Sequence, residues 1–123
     1  MLVRRVGDVP RNERGNGQIS HLLLGLPSDD TPMSITVVTA APGSRQSDHV
    51  HPVSTQIYVI IAGKGQMTVG DETMEVATGE MVYVPPGASH AIFNGGEMTL
   101  SYVSVTVPPF PVRVEGDHYR SAT

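Results

Sequence analysis

Glycine and proline interrupt this chain so often that a long helix has no room to form. The 123 residues contain 13 Gly and 10 Pro, and no stretch of a dozen residues between them keeps an apolar period of 3.6. Residues 34–40 (SITVVTA) are instead rich in β-branched side chains, which suit a pleated, half-buried surface. The pattern predicts an all-β domain of many short strands joined by tight turns.

Several of the reversals between strands are tight enough to fix how neighbours pair. Glycine turns at 62–65 and 70–72 predict antiparallel neighbours, and Pro85 and Pro86 end a strand because proline lacks an amide donor. Residues 2–6 favour a short strand, residues 10–17 a polar loop, and residues 112–123 a tail. The remaining predicted strands are 18–24, 34–40, 47–51, 56–61, 66–69, 73–76, 80–84, 89–93 and 97–107. A closed barrel or jelly roll would hide the edges of such strands.

Two histidines one residue apart, His49 and His51, form the first candidate site. Side chains alternate faces along a strand, so both imidazoles point to the same side of a strand over 47–51. Gln56 begins the segment that returns after a turn, and it can face the pair. In isolation such a pair is more often a surface feature than a metal site.

A second stretch carries Gly79, Pro85, Gly87, His90 and Asn94. With the first stretch, from Gly43 to Gly63, it resembles the two motifs of the cupin superfamily, G-x5-H-x-H-x4-E-x6-G and G-x5-P-x-G-x2-H-x3-N. Every position matches except Gln56, which replaces the usual glutamate. The resemblance covers roughly 31–111 and implies a double-stranded β-helix, the jelly-roll barrel of cupins. One domain would then span 1–123, with N-terminal strands in 1–30.

The resemblance implies a divalent transition metal held by His49, His51, Gln56 and His90. The chain has no Cys, so the ligands must be nitrogen or oxygen atoms. Zinc is the expected metal, with nickel, iron and manganese as alternatives. A neutral carboxamide leaves the charge of the ion uncompensated, which favours Lewis-acid over redox chemistry. The alternative is a decayed metal site in which Gln56 only forms hydrogen bonds.

The chain also resembles two groups of small cupins that promote enolisation, ring opening or ring closure. One group linearises unsaturated uronate sugars and also has glutamine at this position; the other contains cyclases of aromatic polyketide biosynthesis. This similarity implies a cyclase, isomerase or lyase acting on a small oxygenated substrate. A metal-dependent dioxygenase and a non-catalytic small-molecule-binding cupin are the alternatives.

Tyr58 shares the face of Gln56 and is the candidate catalytic residue, as a proton donor beside the metal. The alternative is that Tyr58 is an ordinary aromatic residue of the barrel lining with its hydroxyl hydrogen-bonded. The cavity is expected to be apolar, lined by residues such as Met67 and Ile92. His21, beside leucines, is either a core or edge histidine or a further ligand, and His118 is expected to be solvated.

Composition and charge restrict the partners and the location of the protein. The net charge of −4 supplies no basic field for phosphates, which argues against nucleic acid. No apolar run is long enough for a signal peptide or a membrane span, so a cytoplasmic protein without membrane contact is expected. The cupin resemblance implies a homodimer, formed through the outer sheet or by exchange of the N-terminal strand.

Overall fold

The computed structural model describes residues 1–122. These residues contain eleven β-strands and one 3₁₀ turn (Val6–Asp8). No helix in this range is long and apolar enough to cross a membrane. The strands are β1 (Arg11–Glu13), β2 (Gln18–Leu24), β3 (Ser34–Ala40), β4 (Thr55–Ala62), β5 (Lys64–Val69), β6 (Glu72–Ala77), β7 (Met81–Val84), β8 (His90–Phe93), β9 (Leu100–Val107), β10 (Val112–Glu115) and β11 (His118–Ser121).

The strands form two sheets around one core. The large sheet has the order β10-β11-β1-β2-β3-β9-β4-β7, and the small sheet has the order β6-β5-β8. The named strands pair antiparallel, apart from a parallel contact between β1 and β11. The core takes side chains from β3, β4, β7 and β9 of the large sheet and from β5, β6 and β8 of the small sheet. The predicted all-β double-stranded β-helix is therefore confirmed.

The inward face of the large sheet changes from apolar to polar along the strands. The buried residues of β9, in chain order, are Leu100, Tyr102, Ser104 and Thr106. On the neighbouring β4, Ile60 lies beside Tyr102 and Gln56 lies beside Thr106. One end of the barrel is thus a dry apolar core, and the other end presents hydroxyl and amide groups.

The predicted tail at 112–123 is wrong for the residues that the structure describes; Thr123 lies outside them. Residues 112–121 form the β10–β11 hairpin, in which Val114 pairs with Tyr119. The predicted loop at 10–17 is also partly wrong, since it contains β1. β1 and β11 pair with each other although they lie near opposite ends of the sequence, and Arg11 is the partner of His118.

The predicted strand at 2–6 is wrong as well, because a side chain rather than a backbone ladder anchors this segment. The Arg4 guanidinium donates to both carboxylate oxygens of Asp29, at 2.8 and 2.7 Å, and to the carbonyl of Leu23. Asp29 also accepts from the backbone amides of Gly25 and Leu26. These contacts lower the pKa of Asp29 to about 2, the Arg4 hydrogen bond being the largest cause.

Candidate metal centre

His49 lies on an extended segment between β3 and β4 that contacts β8 through isolated bridges. The predicted regular strand over 47–51 is wrong, because this segment pairs at separated points, Arg45 with Phe93 and His49 with His90. His49 and His90 exchange both backbone hydrogen bonds, at 3.1 and 3.0 Å. This antiparallel pairing places the two imidazoles side by side on one face.

The three motif histidines converge as the sequence predicted. Their ring centroids are 4.0 Å apart for His49 and His90, 5.1 Å for His49 and His51, and 5.5 Å for His51 and His90. One ring nitrogen of each residue lies within 4.8 Å of the others. His90 is buried, whereas His49 and His51 are half-buried and lie at the cavity. The group could therefore hold a metal ion that remains accessible from one side.

Backbone carbonyls fix which nitrogen of two imidazoles carries hydrogen. The Nδ1 atom of His49 lies 3.0 Å from the carbonyl of Ser47, and that of His90 lies 3.0 Å from the carbonyl of Ala88. A carbonyl oxygen can only accept, so Nδ1 donates in both rings. Each neutral ring then keeps a lone pair on Nε2, which is how metal-binding histidines are oriented.

Burial keeps the histidines in their neutral form. It lowers the pKa of His49 to about 4 and also lowers the pKa of His51 and of His90. Repulsion from neighbouring imidazoles contributes in the same direction at His49 and His51. At neutral pH the lone pairs are available without competition from protons.

Gln56 extends the donor set. Its Oε1 lies 2.8 Å from Nε2 of His90, and its Nε2 donates to the hydroxyl of Ser104 at 2.7 Å. A carboxamide oxygen and an imidazole lone pair are both acceptors, and in this arrangement both can bind the same cation. Two ligand atoms that bind one transition-metal ion at right angles, with bonds of about 2.1 Å, lie roughly 3 Å apart. The donor set therefore fits a divalent metal.

The same carboxamide, rotated by half a turn, would donate to His90 and accept from Ser104, whose hydroxyl serves either role. That arrangement belongs to the metal-free alternative. The role of Gln56 as a ligand thus stays a prediction.

Tyr58 lies on β4 and lines the cavity, fully buried. Its hydroxyl donates to Oε1 of Gln46 at 3.1 Å, and its ring packs 5.0 Å from Tyr102 and 6.1 Å from His90, measured between centroids. Burial raises the pKa of Tyr58. The hydroxyl therefore keeps its proton and acts as a hydrogen-bond donor beside the histidines.

A cavity of about 750 Å³ lies next to the histidines, and the two residues named as examples of its lining are not part of it. Met67 and Ile92 are buried in the closed core rather than in the cavity wall. Most of the cavity surface is apolar, as expected, and polar groups at the ends of β3, β4 and β9 also face it. The polar lining residues include Asn12, Arg14, Thr36, Gln46, Ser104, Thr106 and Tyr119. Val50, Val53 and residues 108–111, three prolines and Phe110, supply apolar surface.

The two other histidines lie outside the cluster. His21 is half-buried on β2, opposite Val37, and its Nδ1 has no hydrogen-bond partner among the described residues. His118 is exposed, as predicted, with its Nδ1 2.8 Å from the carboxylate of Asp117. The cluster that could hold a metal contains neither of them.

Two other motif positions have a structural function. The side-chain amide of Asn94 donates to the carbonyls of Ala40 and Met98, both at 2.9 Å, and so ties the end of β8 to its neighbours. Gly63 has a φ of 78°, and a Cβ there would lie 2.6 Å from the carbonyl oxygen of Thr99. Only glycine fits this reversal.

The fold and the site together define a small jelly-roll protein with a candidate three-histidine metal centre. The family model of the cupin domain matches residues 36–106, which include every residue of the cluster. The chain belongs to the cupin family.

Similar proteins share this domain over part of their length. An uncharacterized protein of Methanocaldococcus jannaschii is 38% identical over 68 residues, 55% of this chain and 54% of that protein. Protein SchB of Streptomyces halstedii is 30% identical over 91 residues, 74% of this chain and 66% of SchB. The chain thus spans only about half of the first relative and 66% of the second.

A solved structure supports the same fold. The crystal structure of a predicted oxalate decarboxylase from Thermotoga maritima superposes with a TM-score of 0.79 at 21% identity, covering 87% of this chain and 99% of that one. At this identity the similarity shows the fold alone.

Proposed function

We propose that the protein is a metal-dependent enzyme that performs non-redox Lewis-acid chemistry, as a cyclase, isomerase or lyase, on a small oxygenated organic substrate. The observation that carries the proposal is the convergence of three neutral imidazoles at the edge of a cavity of about 750 Å³. The nearby side-chain donor is a carboxamide rather than a carboxylate. Zinc is the proposed metal, with nickel, iron or manganese as alternatives.

His49, His51 and His90 would hold the ion, and Gln56 would complete the set through its amide oxygen. A bound divalent metal would polarise a substrate oxygen and stabilise the negative charge that develops on enolisation or ring opening. Without a carboxylate ligand, less of the charge of the ion is neutralised by the protein. The uncharged ligand set favours this chemistry over the dioxygenase alternative, which requires higher oxidation states.

The residues around the centre orient a substrate and keep protons in place. Ser104 fixes the carboxamide of Gln56 by accepting its Nε2–H, and Gln46 fixes the hydroxyl of Tyr58. We propose that the hydroxyl of Tyr58 leaves Gln46 when substrate binds and donates its hydrogen bond to a substrate oxygen instead. Such a donor beside the metal would stabilise an oxyanion together with the ion.

Elemental analysis of protein purified without added metal tests the centre, with His90→Ala as the variant and His118→Ala as its control. Both remove one imidazole, but His118 is exposed and lies outside the cluster. We expect one transition-metal ion per chain in the wild type and in the control, and loss of the ion in His90→Ala. A wild-type protein that contains no such metal and takes up none on dialysis would refute the proposal.

Oxygen consumption separates the proposed chemistry from the dioxygenase alternative. With 1,3-diketones and catechols as probes, the metal-loaded protein is expected to consume no oxygen above the buffer rate. Oxygen uptake that depends on His51 would favour the dioxygenase. Ligand binding that survives His51→Ala, with no turnover in either protein, would favour the non-catalytic module.

A further inference from the structure

Arg14 is the one Lys, Arg, Asp or Glu side chain among the described residues that line the cavity. It lies in the turn between β1 and β2, and it forms no ion pair with a described carboxylate, in contrast to Arg4 and Arg11. A protein whose net charge is −4 therefore presents to this cavity a cation and, among the described residues, no acidic group.

Tyr119 supplies a second, independent sign that a ligand belongs here. This residue of β11 is 4% exposed and lines the same cavity, yet its buried hydroxyl has no hydrogen-bond partner among the described residues. Burial raises the pKa of Tyr119, and weak hydrogen-bond contacts with Ser20 and Arg14 oppose the rise, but neither contact has regular hydrogen-bond distance and angle. Leaving a buried hydroxyl unpaired is energetically costly, so such a group calls for a partner.

The field of Arg14 reaches the groups around the cavity. Its positive charge contributes to lowering the pKa of His49, and it opposes the rise that burial causes in the pKa of Tyr58, Tyr102 and Tyr119. A metal held by neutral ligands would add to this positive potential. Both charges favour a ligand that carries negative charge.

We propose that the ligand of this cavity is a small organic anion, a carboxylate or comparable oxyanion, whose charged group binds Arg14 and accepts a hydrogen bond from the hydroxyl of Tyr119. The guanidinium provides a planar pair of donors that matches a carboxylate, and the tyrosine satisfies its unpaired hydroxyl. The aromatic and proline residues of the wall contact the apolar part. The anion site does not depend on the proposed function. Only the placement of a second ligand oxygen towards the histidines rests on that function.

Benzoate and benzamide test the inference because they have nearly the same shape and differ in charge. Their dissociation constants are measured from amide chemical shifts of the full chain, as isolated and again after treatment with a chelator, at one ionic strength. We expect benzoate to bind at least about tenfold more tightly than benzamide in both states, as charged hydrogen bonds are stronger than neutral ones. Arg14→Gln is expected to reduce the ratio of the benzamide to the benzoate dissociation constant to near one. Tyr119→Phe is expected to lower this ratio several-fold.

Arg113→Gln is the matched control, since Arg113 is exposed on β10 and does not line the cavity. It changes the net charge by the same amount and should leave the ratio unchanged. The inference is overturned if the wild type shows no preference for benzoate, or if Arg14→Gln and Arg113→Gln show the same ratio.

Metal uptake of the same variants separates this inference from the proposed function. Arg14→Gln is expected to bind metal like the wild type, because Arg14 is not in the histidine cluster. If the chain binds no metal but still selects benzoate through Arg14, the anion site stands and the metal-dependent function fails. If it binds metal without selecting benzoate, the anion site fails alone.

Discussion

Gln56 allows the charge of the candidate metal centre to be changed with almost no change in size. Gln56→Glu places a carboxylate at the position of the amide, whose oxygen lies 2.8 Å from Nε2 of His90. A carboxylate attracts a divalent cation more strongly than an amide, most of all at a site with restricted solvent access. We expect the zinc affinity near neutral pH to increase at least about tenfold, measured by competition with a chromophoric chelator.

Gln66→Glu controls for the added negative charge, because Gln66 is exposed on β5 and lies outside the cavity lining. It should leave zinc affinity almost unchanged. An unchanged affinity in Gln56→Glu as well would show that residue 56 does not ligate the ion, and would favour the hydrogen-bonding role.

The buried histidines also make the stability of the metal-free protein depend on pH. Burial lowers the pKa of His49 to about 4 in the folded state, against about 6.5 in an unfolded chain. As the pH falls through this interval the unfolded chain takes up the proton first, so the free energy of unfolding decreases. The stabilising contribution that is complete above about pH 6.5 is lost progressively as the pH falls towards about 4.

Urea denaturation of chelator-treated protein between about pH 8 and pH 4 measures how the free energy of unfolding changes with pH. His51 and His90, whose pKa values shift in the same direction, should add to this change. His49→Asn is expected to flatten the profile, whereas His118→Asn, at an exposed position, is not. A wild-type profile without a slope in this interval would contradict the prediction.

At the scale of elements, the β10–β11 hairpin forms part of the cavity wall rather than a free tail. Tyr119, the buried aromatic residue of β11, connects the hairpin to the barrel interior. Tyr119→Ala should lower the free energy of unfolding by about 3 kcal/mol, because it removes a large buried side chain. Met98→Ala, at a site that is 76% exposed in the loop before β9 and outside the exposed apolar side chains of β4 and β7, should change it by less than about 0.5 kcal/mol. Urea denaturation of both variants gives the comparison, and equal effects would contradict a docked hairpin.

The elements that the sequence predicted are those whose pattern is local. β3 follows from its β-branched run, and the turns at Gly63 and Gly87 follow from glycine and proline. β1, β10 and β11 have only three or four residues each, with many polar side chains. β11 pairs with β1, about 100 positions away in the chain, and no local pattern encodes this pairing; β10 in turn pairs with β11.

The same distinction separates the predicted and the missed residues of the site. His49, His51 and His90 belong to motifs with fixed spacing, so their convergence could be predicted. Arg14 and Tyr119 reach the cavity through the pairing of β1, β2 and β11, and their sequence surroundings gave no sign of it. Met67 and Ile92 were wrongly placed in the cavity wall for a related reason, because strand alternation predicts which face is buried but not whether that face meets core or cavity.

At the scale of the whole molecule, the outer face at one end of the large sheet is apolar and uncovered. Val59 lies opposite Met81, with Ile61 and Tyr83 beside them, and these four side chains are 36%, 59%, 47% and 55% exposed, respectively. β7 is also the last strand of the sheet, so one edge of its backbone is open. Such a surface is prone to pair with another chain.

We expect this face to form the homodimer that the sequence resemblance implies. Light scattering during gel filtration at micromolar concentrations should give twice the 13.1 kDa mass of one chain. Met81→Lys should shift the protein towards the monomer, because burying an ammonium group in an apolar interface is costly. Met74→Lys serves as control: Met74 is 63% exposed on β6 of the small sheet, away from this face, and the dimer should persist. If the wild type is strictly monomeric, or if the two variants dissociate equally, the apolar face of β4 and β7 is not the interface.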